Sequence, residues 1–157
     1  MADIRNRGFQ KKSEFDQKMI DLRRVARVVA GGRRFSFRSA VILGDRKGRV
    51  GFGLGKGADA SLAMDKAKRE ARKNMITVAL DKEGAISFEV EAKFGAAKVR
   101  MRPSRAGRGL VAGGAVRAVL DLAGVKNTSA KVLSHTKNKI NTAKAAIRAL
   151  EKLRLTK

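Results

Sequence analysis

The sequence predicts an α+β fold in two small units, β-β-β-α followed by β-β-α-β-α, and three observations predict it. Between Ala30 and Gly57 two strand-like runs flank Gly44-Asp45-Arg46-Lys47-Gly48, which reads as a hairpin turn. Between Ala85 and Arg102 apolar and polar residues alternate in two runs, the pattern of a half-buried antiparallel pair. Apolar residues then recur at helical spacing after Asp59, after Gly114 and after Asn138. At 157 residues and 43% hydrophobic content, the chain can bury a core.

Residues 1–20 read as a basic N-terminal tail, with Arg5, Arg7, Lys11 and Lys12 and little periodicity. Residues 21–78 are expected to form the first domain. Leu22 to Val29 is its first strand, with Arg23 and Arg27 on one face beside Val25 and Val29. Gly31-Gly32 permit φ > 0, and Arg33 and Arg34 follow at once. Phe35, Phe37, Val41 and Leu43 then alternate with Ser36, Arg38 and Ile42. On the return strand Val50, Phe52 and Leu54 point one way, while Gly51, Gly53 and Gly55 leave a bare face for another backbone. Asp59 is placed to cap a helix over residues 60–75. Its stripe of Ala60, Ala63, Ala67, Ala71 and Met75 packs on the sheet.

Asp81-Lys82-Glu83-Gly84 marks a boundary, and residues 84–157 form the second domain. Ile86, Phe88, Val90 and Ala92 point inward on one strand, Val99 and Met101 on the next. With a four-residue loop over 93–96, Glu91 opposes Lys98 and Glu89 opposes Arg100, so these two cations are structural. A basic glycine loop over 103–114 leads to a helix over 115–123, stopped by Gly124. Asn127 to Ser134 reads as a strand. Asn138 caps a last helix with Ile140, Ala143, Ile147, Leu150 and Leu153 inside and Lys144, Arg148 and Lys152 outside.

The formal net charge is +23. Residues 1–91 carry 21 basic against 12 acidic side chains, and residues 92–157 carry 16 against 2. Charge woven through folding segments points to a nucleic-acid partner. The most apolar stretch is broken by Arg117 and Asp121, and no Trp or Tyr is present, which argues against a membrane role. No Cys and a single His, His135, leave no zinc site, and neither metal nor cofactor is expected. Gly53-Leu54-Gly55-Lys56-Gly57-Ala58 matches a relaxed dinucleotide fingerprint and faintly echoes a P-loop. Residues 103–115 faintly resemble the phosphate loop of small-molecule kinases. Each lacks a required partner, so no catalytic residue is assigned and the enzyme reading ranks last.

Strands followed by a helix with Lys56 before it, and Lys66, Lys68, Arg69, Arg72 and Lys73 along it, follow the logic of a double-stranded-RNA-binding domain. A free basic RNA chaperone or nucleoid-type protein is the runner-up. The tail is either solvated or ordered along an RNA groove.

Three motifs carry a resemblance: Gly31-Gly32-Arg33-Arg34-Phe35-Ser36-Phe37, residues 44–53 from Gly44-Asp45 to Phe52-Gly53, and residues 109–120 from Gly109-Leu110 to Val119-Leu120. Together they resemble the bacterial small-subunit ribosomal protein S-five family over roughly residues 21–153. The resemblance implies a double-stranded-RNA-binding-like first domain and a two-layer α/β second domain with a left-handed βαβ crossover. It implies a structural role in the small subunit, in assembly and in translational accuracy. The partners it implies are small-subunit rRNA and the ribosomal proteins S-four and S-eight, close to where mRNA enters, on a cytoplasmic ribosome. No small-molecule substrate is implied.

By the same resemblance Arg24, Arg27, Gly31, Gly32, Arg33, Arg34, Phe35 and Lys56 contact rRNA, while Gly107, Gly109 and Gly113 face S-four. Arg105, Ala106 and Arg108 stand where the family usually has neutral and acidic residues, so Arg108, together with Arg117, is added to the expected RNA contacts. Lys139 stands where proline usually precedes the last helix, and the family's C-terminal extension is nearly absent.

Overall fold

The structure is a computed structural model and describes residues 14–81 and 84–155. The first half is an antiparallel sheet of β1 (Asp16–Val29), β2 (Gly32–Gly44), β3 (Arg49–Gly57) and β4 (Met75–Thr77), in that order. Helix α1 (Ala60–Lys73) joins β3 to β4. The second half contains β5 (Val90–Phe94), β6 (Ala97–Pro103), β7 (Leu110–Val111), α2 (Gly114–Ala123), β8 (Thr128–Val132) and α3 (Lys139–Leu155). Its mixed sheet runs β5-β6-β8-β7, with β7 parallel to β8 and α2 connecting them.

The glycines of β3 explain how α1 lies on the first sheet. A Cβ added at Gly51, Gly53 or Gly55 would come closer than 3.0 Å to backbone atoms of Ala71, Ala67 and Ala71, or Ala63 and Ala67 respectively. Helix backbone therefore sits where side chains would otherwise stand. The facing stripe of Ala63, Ala67 and Ala71 is fully buried. Small residues on both partners allow this approach, as the sequence pattern predicts. The same packing accounts for the glycines of the dinucleotide-like stretch. Moreover, β3 is antiparallel to both of its neighbours, which a dinucleotide-binding first strand is not.

The first sheet is covered on both faces. Val41 and Leu43 pack with Ala67 and Ala71 on the α1 side. Ala40, Ile42, Val50 and Phe52 join a larger cluster with Val116, Val119, Leu120 and Leu122 of α2 and Leu150 of α3. This double burial is why Val41, Ile42 and Leu43 form an unbroken apolar run.

The β2–β3 turn locks the halves together. Asp45 Oδ1 accepts from the backbone N–H of Lys47 (2.7 Å) and Arg49 (3.0 Å), and Oδ2 from Arg49 Nε (2.6 Å). Arg46 and Gly48 have φ of 57° and 99°. So shaped, the turn donates Arg46 N–H to Leu122 O and Gly48 N–H to Ala123 O, both at 3.0 Å. These are orphan carbonyls at the C-terminus of α2. Gly124, with φ 83°, ends that helix as expected.

Several expectations are corrected. β1 begins at Asp16, not Leu22, so residues 16–20 belong to the sheet rather than to the tail. Residues 1–13 of that tail lie outside the described residues, as do Lys82 and Glu83. α1 ends at Lys73, and Met75–Thr77 pairs with β3 as an unforeseen edge strand. Asp59 sits at the N-cap without a side-chain hydrogen bond. Residues 85–89 are not strand, although Ile86 is buried. β7 is a further unforeseen strand, two residues long. Asn138 does cap α3, accepting from Ile140 (3.1 Å) and Asn141 (3.4 Å), so Lys139 in place of proline leaves the helix start intact.

The β5–β6 loop is two residues long, Gly95-Ala96, so Glu91 opposes Arg100 and Lys93 opposes Lys98. The expected ion pairs still form, with Glu91 bridging Lys98 and Arg100 (3.0 Å) and Glu89 meeting Arg100 at 3.4 Å.

Candidate nucleic-acid interface

β3 pairs with β2 only from Phe37 onward. Beyond that point β1 and β2 continue as a two-stranded ribbon, closed by the turn Ala30-Gly31, with Val29 opposite Gly32. Of Gly31 and Gly32, only Gly32, the first residue of β2, takes a positive φ, 122°. No acidic residue occurs from Leu22 to Gly44, while Arg23, Arg24, Arg27, Arg33, Arg34 and Arg38 do.

Side chains alternate across a strand, so register sorts these arginines. Arg27 stands directly opposite Arg34, and Arg23 opposite Arg38, all on one face. Arg38 in turn stands opposite Lys56, so Arg23, Arg38 and Lys56 form a cationic row across three strands. This face continues that of Ala40 and Ile42, away from α1. The other ribbon face carries Arg24, Ala26, Val28, Arg33, Phe35 and Phe37. There the Arg24 guanidinium lies over the Phe35 ring, 4.0 Å from its centroid. Arg33 and Arg34, adjacent in sequence, thus point to opposite faces.

Directly opposed like charges destabilise a sheet by roughly 0.2–1 kcal/mol per pair. The only carboxylate partner among the described residues is Asp21, which meets Arg23 at 2.8 Å. A polyanion would remove the repulsion.

The α1 cations form a separate surface on the opposite side of the sheet from Lys56. Lys66, Arg69, Arg72 and Lys73 line a shallow depression with Glu70. Lys68 is tied to Asp65 at 3.4 Å. Lys56 therefore does not share a face with this helix, contrary to the double-stranded-RNA-binding logic that joined them.

In the second half, Arg108 lies in the exposed loop between β6 and β7, whose Gly107 and Gly109 have φ of 84° and 72° with open space around them. Gly113 is the N-cap of α2, and Arg117 is on its exposed side. Sequence reading omitted Arg23 and Arg38. Their signal was register: once the turn is fixed at Ala30-Gly31, they share the face of Arg27 and Arg34.

Elsewhere, charges are engaged in holding the fold. Burial alone would raise the Asp45 carboxyl, but the Arg49 guanidinium and two backbone N–H donors outweigh it and hold it below the usual carboxylate range. The Lys98 ammonium, with Arg100, similarly lowers Glu91. Lys144, expected on an outer stripe, lies over the rings of Phe52 (5.6 Å) and Phe94 (5.0 Å). Among the described residues no cluster of three or more His, Asp or Glu could hold a metal ion. No helix there is long and apolar enough to cross a membrane.

The chain matches two family models, described as "Ribosomal protein S5, N-terminal domain" over residues 15–79 and "Ribosomal protein S5, C-terminal domain" over residues 92–157. It is 47% identical over 143 residues to "Small ribosomal subunit protein uS5" of Thermus thermophilus, covering 91% of this chain and 87% of the relative. It is 44% identical over 149 residues to "Small ribosomal subunit protein uS5c" of Rhodomonas salina, covering 95% and 88%. Identity to the uS5 of Marinobacter nauticus is 44% over 145 residues, covering 92% and 86%.

Proposed function

The chain belongs to the ribosomal protein S5 family, and from this premise we propose that the arginine ribbon of β1 and β2 is its principal anchor on small-subunit rRNA. The protein is a structural, non-enzymatic component of the small ribosomal subunit, and rRNA is its partner. The observation that carries the anchoring role is the set of opposed arginines, Arg27 with Arg34 and Arg23 with Arg38, in a segment free of acidic residues. Guanidinium groups in such rows suit phosphate oxygens, and phosphate contacts dominate affinity. The α1 cations and Arg117 offer further phosphate contacts, and Arg108 does so from the loop after β6.

In this reading Gly107, Gly109 and Gly113 meet a protein neighbour, with S4 and S8 as the adjacent proteins. The loop lies near where mRNA enters, so its packing influences accuracy, and binding by the ribbon aids assembly. In the same reading the ribosome is a cytoplasmic one. Open space around the three glycines is what supports a close protein contact there.

The test is rRNA binding as a function of salt. Replacing Arg27 and Arg34 together by Ala should flatten the log K against log salt slope by about 1.4–1.8, at about 0.7–0.9 per phosphate. An unchanged slope would remove the ribbon from the phosphate contacts.

A further inference from the structure

We propose that Phe35, held by Arg24, is a stacking platform for an unpaired RNA base, so that the ribbon reads single-stranded RNA on one face and phosphates on the other. This rests on the reading of the ribbon as an RNA anchor. Phe35 is 51% exposed although its ring already carries the Arg24 guanidinium at 4.0 Å. Its cross-strand partner is Ala26, which offers only a methyl group and leaves the ring uncovered from that side. Further toward the ribbon tip on the same face stand Arg33 and its partner Val28, which is 74% exposed.

This face of the ribbon thus carries an exposed aromatic ring, the small apolar side chains of Ala26 and Val28, and the cations Arg24 and Arg33. A duplex hides the faces of its bases, whereas an unpaired base presents one that stacks on aromatic rings and on guanidinium planes. Arg24 and Arg33 are placed for the phosphates flanking such a base. The absence of acidic residues from Leu22 to Gly44 favours RNA over a basic protein surface as occupant.

The chain contains no Trp and no Tyr, so Phe35→Trp in the full chain creates a sole indole reporter at the site. It would be titrated with oligoadenylate of about ten nucleotides and with the same strand annealed to oligouridylate, binding being followed separately by anisotropy of labelled RNA. Saturable indole quenching by the single strand, and none by the duplex, is the expected result. Phe35→Ala should weaken single-strand binding roughly 5- to 150-fold, Phe35→Tyr should preserve it, and Phe35→Leu should not. Thermal melts check that each variant folds. Made in the Phe35→Trp chain, Arg27→Ala with Arg34→Ala should weaken both RNA forms yet keep full quenching by the single strand at saturation. Undiminished binding by Phe35→Ala, or equal quenching by the duplex, overturns the stacking role while leaving the anchor intact. Failure of the parent chain to bind either RNA overturns the anchor itself.

Discussion

Asp45 shows how much one side chain decides. Its three hydrogen bonds shape the turn that caps α2, so Asp45→Ala is expected to cost about 2 kcal/mol, the scale of hydrogen bonds to a charged group. Denaturant unfolding checks this. The carboxyl is lower in the folded chain than its ordinary value of 3.8. Its contribution is therefore complete above that value and disappears as pH falls through the lower folded value. The loss of stability between the parent and Asp45→Ala should shrink below about pH 4. Gly53 is equally decisive. Gly53→Ala drives a methyl into the backbone of Ala67 and Ala71 and should cost at least the upper end of the roughly 1–3 kcal/mol seen for overpacking. Gly113→Ala meets nothing within 4 Å and serves as the tolerated control in the same melts.

At the scale of elements, the ribbon trades stability for binding. Arg27→Thr removes one of two directly opposed guanidiniums and supplies a good strand residue. It should stabilise the free protein by about 0.2–1 kcal/mol at low salt. The gain should vanish near 1 M salt, where the Debye length is about 3 Å, while RNA affinity falls. Paired melts and binding curves at both salts check this. The ribbon was only partly legible in sequence. The arginines were visible, but their division between faces depends on one turn position, because a one-residue shift sends every side chain to the other face. The same sensitivity affected the β5–β6 hairpin, where a loop two residues shorter than expected changed which charges face each other directly.

The whole molecule behaves as one unit built from two family domains. One cluster runs from Ile42 and Phe52 through Val119 to Leu150, and the Asp45 turn caps a helix of the other half. Lys144 adds a contact to one ring from each half. Heat unfolding should therefore be a single transition, with calorimetric and van't Hoff enthalpies equal. Two resolved transitions would show that the halves are independent.

The sequence by itself determined the fold class, most strands and all three helices, because alternation, helical spacing, the helix stop at Gly124 and the helix cap at Asn138 are local signals. It also determined the family and the basic character, because motif and charge need no geometry. Only the tertiary structure decided which arginines act together, that α1 and Lys56 lie on opposite sides of the sheet, and that Asp45 serves the second half. Such facts depend on register and on contacts between residues about 75 positions apart, where many pairings satisfy the same local pattern and only mutual packing selects one.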